Sequence, residues 1–330
     1  MGEGGGQVLR SSLALACITG QAVHLRRIRA RRSKPGLAPQ HLMAVRAAAA
    51  ISGATVRGDA VRSTELEFTP GPIVPGRHHF PIGTAGSTTL VLQTILYPLL
   101  LADAPSVVTI EGGTYNPLAP PFDFVARTFV PALRRMGAVL DVAMPRPGFY
   151  PVGGGLIEAR IEPGRLHPIE LRERGKTRRR RATAIVSQLP IGIAERELAV
   201  VRDGLGFTEL EALEVDAAGP GNAIVLELEH DAGSTIVSAI GSRGVRAERV
   251  AADAVEELRR FDAADVPVDE HLADQLLLPL ALAGGGSFRT LAPTLHTRTN
   301  AELIGRFLPV AFTMDALDDG TTRIAVTRSS

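Results

Sequence analysis

The chain predicts a mixed fold of the α+β / α/β kind: three repeated units of paired helices and strands, with a smaller α/β segment set into the third. The helix-forming stretches 39–51 and 122–136 both end in Gly-Ala-x-[Val/Leu], as Gly53-Ala54-Thr55-Val56 and Gly137-Ala138-Val139-Leu140. Recurrence at such a distance marks a repeated structural unit. A third pair of helices opens at Asp269. Between the second and third units the order breaks over about 175–264, and that block is consistent by itself as a small α/β insert.

Each element has a local reason. Residues 7–19 carry apolar side chains at helical spacing through Val8, Leu9, Leu13, Leu15 and Ala16, and Gly20 stops them. The second helix, 39–51, starts on a proline. Thr84-Ala85-Gly86-Ser87 opens a helix through Leu90, Leu92, Ile95 and Leu99, followed by 122–136. Asp269 opens another, with Leu272, Leu276, Leu277 and Leu280, whose partner is expected from about 300 to 307. Inside the insert the pattern reads strand 181–187, helix 193–205, strands 223–229 and 234–240, and helix 246–261. Its flanks, the arginine run before 181 and the segment 261–265, read as surface crossings. The organisation expected is a large domain at 1–174 holding repeats one, two and the start of three, the insert at 175–264, and the rest of repeat three at 265–330.

At 330 residues, 45% hydrophobic and 22% charged, the chain can bury a large core and form more than one domain. Cys17 is the single cysteine, which excludes an intramolecular disulfide and a thiol-held zinc and fits a reducing compartment. The longest apolar run, 90–102, is too short to span a bilayer, and the start lacks a leader pattern, so a cytoplasmic protein without a membrane partner is expected. A net charge of +1 argues against coating nucleic acid by bulk charge. Basic residues are nevertheless concentrated twice, in 26–34 and 176–181. In the first, Arg27, Arg29 and Arg31 alternate along an expected strand, which would set guanidiniums on one face beside the glycine-rich start. The second reads equally well as a solvated face.

Several segments carry chemistry. Gly2-Glu3-Gly4-Gly5-Gly6-Gln7 stands at a helix start, where backbone amides and the helix dipole receive an anion, and Arg10 follows one turn later. It is not a Walker loop, because no Gly-Lys-Ser/Thr follows. Lys34-Pro35-Gly36-Leu37-Ala38-Pro39-Gln40-His41-Leu42 reads as a turn running into an exposed helix start. Gln93 sits in an apolar helix and needs a partner, since a buried unpaired amide costs about 1–3 kcal/mol. Glu270-His271-Leu272-Ala273-Asp274-Gln275 precedes Thr294-Leu295-His296-Thr297-Arg298-Thr299-Asn300, which reads as a threonine-rich loop at a helix mouth. Of the eight histidines, His296 is the one placed for chemistry. Imidazole is largely neutral and nucleophilic near pH 7.

Together these segments resemble the RNA 3′-terminal phosphate cyclase family in its catalytic, bacterial-type branch. The matching motifs reach both ends of the large domain, while the insert is similar only loosely. The resemblance implies four-stranded sheets covered by two helices in each unit, and a four-stranded, two-helix insert. It implies that His296 attacks ATP and carries AMP, and that an RNA 3′-phosphate end then becomes a 2′,3′-cyclic phosphate. ATP would be contacted by Gln93, by Pro120 in the loop 112–121, and by His271, Leu272, Ala273, Asp274 and Gln275. Arg10, Arg29, Arg32, Gln40 and His41 would line the triphosphate or RNA end, and Glu3 would serve a divalent metal, Mg or Mn. Two departures accompany it. His271 stands where the family usually has a tyrosine against the base, and the apolar strand usual before the glycine-rich segment would fall ahead of Met1, so the first sheet is expected to be one strand short. A non-catalytic, ribosome-assembly relative would lack His296, and an enolpyruvyl transferase would show six units where three are visible here.

Overall fold

A computed structural model describes residues 5–329. The first unit comprises α1 (Gly6–Thr19), β1 (Val23–Arg26), α2 (Pro39–Ser52), β2 (Thr55–Arg57) and β3 (Glu65–Thr69), with an antiparallel sheet ordered β1-β3-β2. The second runs β4 (Arg77–Pro81), α3 (Thr88–Leu100), β5 (Ser106–Gly112), then α4 (Phe122–Phe124), a π-helical turn (Val125–Phe129) and α5 (Val130–Arg135), then β6 (Leu140–Arg146) and β7 (Gly155–Ile161). Its sheet is ordered β4-β5-β7-β6, with β4 parallel to β5 and β7 antiparallel to its two neighbours.

The third unit begins with the short β8 (Glu170–Leu171), and the insert interrupts it there. The insert is β9 (Thr177–Ser187), α6 (Gly192–Leu205), β10 (Glu209–Glu214), β11 (Gly221–His230), β12 (Gly233–Ile240) and α7 (Ala247–Ala264). The unit resumes with α8 (Glu270–Ala283), β13 (Gly285–Thr290), α9 (Leu295–Phe307), β14 (Val310–Ala316) and β15 (Thr322–Arg328). Its sheet order, β8-β13-β15-β14 with β8 parallel to β13, reproduces the second unit strand for strand. The first unit shows only the counterparts of β5, β7 and β6 among the described residues, so β1 has no ladder partner on its outer edge.

The helices lie inside and the sheets outside. α3 is buried almost all round, with Val91, Ile95, Leu99 and Leu100 fully enclosed, and each such side chain stabilises by about 1.5–3 kcal/mol. α1 divides its faces: Leu9, Leu13 and Ala16 cover the first sheet, while Ala14 and Leu15 join the central core with α3 and α8. α2 does the same with Leu42 and Val45 against Ala47 and Ile51. Gly20 and Gly53, both with positive φ, end these helices.

The insert's sheet, ordered β10-β9-β11-β12, is covered on both faces. Ala182, Ala184, Val186, Ile224, Leu226 and Leu228 meet α6 and α7, while the alternate residues Ile185, Ala223 and Val225 belong to the central core. The junction also carries charge. Arg127, on the π-helical turn, and Arg181 of β9 both donate to the Glu227 carboxylate of β11, at 3.3 and 2.5 Å, and Glu227 is 8% exposed. Two expectations are corrected. The arginine run is not a crossing but the first half of β9, and the fourth strand that the resemblance implied is β10, whose exposed and weakly alternating Glu209–Glu214 sequence the residue pattern did not locate. Among the described residues no helix is long and apolar enough to cross a membrane.

Glu227→Ala leaves two arginines facing a desolvated junction, and a loss of about 2–3 kcal/mol is expected, toward the low end for a broken buried pair because both arginines reach water. Urea denaturation measures it; a change under about 0.5 kcal/mol would mean that apolar contact alone docks the insert.

Candidate active site at converging helix starts

The first turns of α1, α2, α3 and α9 come together. Gln7, the second residue of α1, reaches His296 of α9; Gln40 Oε1 of α2 accepts from the backbone amide of Ser87, the residue whose hydroxyl caps α3, at 3.1 Å. His41 of α2 lies against the backbone at Gly6, where a Cβ would stand 2.3 Å from His41 Nε2 and 2.9 Å from Arg10 Nη1, so any side chain there would displace the imidazole and the guanidinium. Gly5, before α1, supplies no side-chain cap. Unsatisfied amides and dipole ends of several helices on one spot favour an anion.

His296 lies in the first turn of α9, not in a preceding loop: the helix starts at Leu295, earlier than expected, because Thr294 Oγ1 accepts from the Thr297 amide at 3.1 Å. Its Nδ1 is 2.8 Å from Gln7 Oε1, while Gln7 Nε2 donates to the Asp274 carboxylate. A carboxylate only accepts, so the amide nitrogen must face Asp274 and the amide oxygen must face the imidazole. That oxygen can only accept in turn. Nδ1 therefore carries a proton, so that in the neutral ring the lone pair belongs to Nε2, on an exposed side chain.

Asp274 is the anchor. It also accepts from Asn300 Nδ2 at 3.1 Å, and Asn300 Oδ1 accepts from Ser11 at 2.9 Å. Burial pushes its carboxyl above the usual range, against the pull of Gln7, His296, Asn300 and Arg10. Burial lowers Arg10 to about 10, with Asp274 opposing, so it stays charged at neutral pH. His41 is driven down to about 3 by burial first, then by Arg10 and Arg29, and is neutral. Its Nδ1 accepts from the Ala38 amide at 3.3 Å, which leaves Nε2–H as a donor toward the glycine-rich segment.

The remaining candidates divide. Gln93 Nε2 donates to Gln275 Oε1 at 2.6 Å, linking α3 to α8 and answering the need for a partner. The Pro120 carbonyl accepts from Thr89 at 2.7 Å. Leu272 and Ala273 are buried at the start of α8. His271 is exposed and faces the insert, with Nε2 3.2 Å from Glu257 of α7. The Glu257 hydrogen bond, helped by Asp269 and Glu270, raises it to about 9 against some desolvation. Arg29 and Arg32 do not extend a strand: β1 ends at Arg26, and Arg27 and Arg29 take left-handed φ of 56° and 53° in a loop. Arg29 donates to the Lys34 and Gly36 carbonyls at 3.1 and 2.9 Å, and Arg32 is exposed beside it. Glu3 lies outside the described residues, among which no cluster of three or more His, Cys, Asp or Glu could hold a metal. The second arginine run is ion-paired throughout: Arg178 with Asp231, Arg179 with Glu209, Arg180 with Asp262 and Arg181 with Glu227.

Sequence reasoning did not assign Gln7, Ser11, Asn300 or Glu257. Gln7 sits 289 positions from His296 and 267 from Asp274, so no local pattern relates them.

Comparison with known proteins agrees on one family. A sequence profile described as RNA 3′-terminal phosphate cyclase matches residues 1–314. The RNA 3′-terminal phosphate cyclase of Koribacter versatilis is 47% identical over 330 residues, covering 98% of this chain and 92% of its own. Those of Ectopseudomonas mendocina and Salmonella enteritidis PT4 are 47% and 45% identical, each covering 97% of this chain and 95% of their own. A solved enolpyruvyl transferase from Streptomyces tendae covers 99% of this chain and 64% of its own, at a TM-score of 0.28 and 11% identity, too slight a likeness to bear on fold or function.

Two outcomes are expected. Nitrogen-15 spectra of labelled histidine should show His296 as the Nδ1–H tautomer, and Gln7→Leu should return it to the Nε2–H form favoured by free imidazole; an unchanged tautomer would remove Gln7 from its control. His271 should titrate near 9 and drop toward the ordinary value of about 6.5 in Glu257→Gln. Because the folded value is the higher one, the stability it contributes is complete below about pH 6.5 and is lost as pH rises through 9. The melting temperature should therefore decline over that window more in the parent than in Glu257→Gln, and parallel declines would show that the pair is not formed.

Proposed function

The chain belongs to the RNA 3′-terminal phosphate cyclase family and is a ligase of that class acting on RNA; we propose that it consumes ATP to close an RNA 3′-phosphate into a 2′,3′-cyclic phosphate. The observation that carries this reading is the chain Asp274–Gln7–His296, which leaves a lone pair on an exposed Nε2 where four helices begin.

In the first step His296 Nε2 attacks the α-phosphorus of ATP, a P–N bond forms, and pyrophosphate leaves. The Nδ1 proton stays on the ring against Gln7 Oε1, so the imidazole can leave as a neutral group and the P–N bond transfers AMP more readily than a phosphoester would. An oxygen of the RNA 3′-phosphate next takes AMP, the P–N bond breaks, and an RNA(3′)pp(5′)A end forms. Finally the vicinal 2′-hydroxyl attacks the 3′-phosphorus and expels AMP, its proton passing to the departing AMP phosphate or to solvent. A phosphate monoester has no good leaving group, and the anhydride supplies one. The 2′-hydroxyl is recognised because it is the nucleophile.

Arg10, the His41 Nε2–H donor and the free amides of α1 are the groups assigned to the phosphates, with Arg29, Arg32 and Gln40 at the margin. Gln93, Gln275, Asp274, Leu272, Ala273 and Pro120 would frame the nucleotide, and His271, cationic at neutral pH, would lie against the base where relatives of this family usually place a tyrosine. A divalent ion, Mg or Mn, would travel on the triphosphate and offset its charge, with Glu3 as its proposed ligand. The domain reading follows the same lines: a large domain at 1–174 and 265–330, interrupted by a small one at 175–264, with action in the cytoplasm.

His296→Ala should abolish both the covalent label from α-labelled ATP and cyclisation of a 3′-phosphorylated oligoribonucleotide. Retention of label at the parent level would move the nucleophile elsewhere.

A further inference from the structure

We propose that the loop 27–34, together with Arg62, binds the phosphodiester backbone of single-stranded RNA upstream of its 3′ end. The proposal rests on the reading of the neighbouring site as one that takes an RNA 3′-phosphate. It begins from a contrast. The chain has two arginine runs of similar density, and in the insert all four arginines are matched by carboxylates. In the loop, Arg27, Arg31 and Lys34 are exposed, as is Arg62 beside it, and none has a side-chain hydrogen bond or ion pair among the described residues. Among the described residues, the nearby carboxylate Glu65 is taken by Arg26 and His24, at 3.1 and 2.5 Å, which leaves Asp59. An excess of unmatched cations on one surface attracts a polyanion.

The loop is also held in place. Ile28 N bonds Thr64 O at 3.0 Å, Leu37 N bonds Ser63 O at 2.9 Å and Arg62 N bonds Leu37 O at 2.7 Å, which keeps Arg62 next to the loop. A Cβ at Gly36 would lie 2.1 Å from the Arg62 carbonyl oxygen, so the two strands of backbone touch. Arg29 spends donors on the loop's own carbonyls and acts as its brace. Ordering this surface in advance lowers the entropy lost when a flexible strand binds.

The surface is continuous with the site. The loop leads into α2, whose His41 touches Gly6 and feels the charge of both Arg10 and Arg29. An open groove of ≈ 580 Å³ lies alongside, lined by Arg26, Arg27, Ala30, Pro35, Thr64 and Glu65. Its lining holds no aromatic ring on which a base could stack. Contact would therefore be with phosphates, which position a strand without reading its sequence.

The test uses the full chain and a triple variant, Arg27→Gln, Arg31→Gln and Arg62→Gln, which keeps the side-chain stems and removes three charges. Fluorescence anisotropy with a 5′-labelled, 3′-phosphorylated RNA of about 20 nucleotides should show the log–log salt slope shallower by about 2, at about 0.7 per lost phosphate contact. Affinity at low salt should fall at least about tenfold, alike for two unrelated sequences, while a 3′-phosphorylated dinucleotide and the yield of covalent label from ATP stay within about twofold of the parent. An unchanged slope and affinity for the long RNA would overturn the proposal. So would a loss of polyglutamate binding in the variant with RNA binding intact, which would make the surface a dock for an acidic protein. Absence of ATP-derived label in the parent would instead sink the cyclase reading, and the anisotropy result would still decide the loop.

Discussion

The constraint on which the site depends is the half-buried carboxylate of Asp274. It lies in the second turn of α8, among helices whose other contacts are mostly apolar, and such a group is tolerated only when donors surround it. Gln7 from α1 and Asn300 from α9 supply them, and Ser11 secures Asn300 in turn. The same bonds tie the first unit to the third. They also orient the Gln7 amide, and through it the proton on His296. Satisfaction of one half-buried carboxylate and orientation of the proposed nucleophile are thus a single event.

The repeat explains why helix starts accumulate. Each unit turns its helices inward and its sheet outward, so related helices from different units meet at the centre in similar poses. α1, α2, α3 and α9 bring their first turns to one place, and the resulting positive potential needs little net charge, which suits a chain of net charge +1. The insert leaves this pattern between β8 and α8. Its sheet is buried on both faces, so it is fastened to the core by Ile185, Ala223 and Val225 and by the Arg127–Glu227–Arg181 cluster. α7 then hands the chain to α8 beside the site. The His271–Glu257 contact lies at that handover and couples the insert to a residue assigned to the nucleotide.

Most of the architecture was legible in the sequence because it is local. Helical periodicity, Gly20 and Gly53 as stops, and the repeated Gly-Ala ending located α1 and α2 and placed the later helices closely. What failed locally failed for physical reasons. The alternation of Arg27, Arg29 and Arg31 imitates a strand, but positive φ at Arg27 and Arg29 turns it into a loop closed by the Arg29 guanidinium on two carbonyls. The start of α9 was set by a hydroxyl cap, since Thr294 outweighs the weak apolar signal of the residues that follow. β10 escaped notice because an exposed edge strand beside β9 needs no apolar face.

The sequence by itself determined the fold class and the repeat, because periodicity acts over a few residues, and its resemblance to a family supplied His296, Asp274, Arg10, Gln40 and His41 as candidates. Only the tertiary structure decided which ring nitrogen of His296 is free, which partner Gln93 takes, that His271 is held by Glu257, and which arginine run is neutralised. Those outcomes hang on hydrogen bonds and ion pairs between side chains tens to hundreds of positions apart. Such pairs depend on burial and direction, and neither is written in the order of residues along the chain.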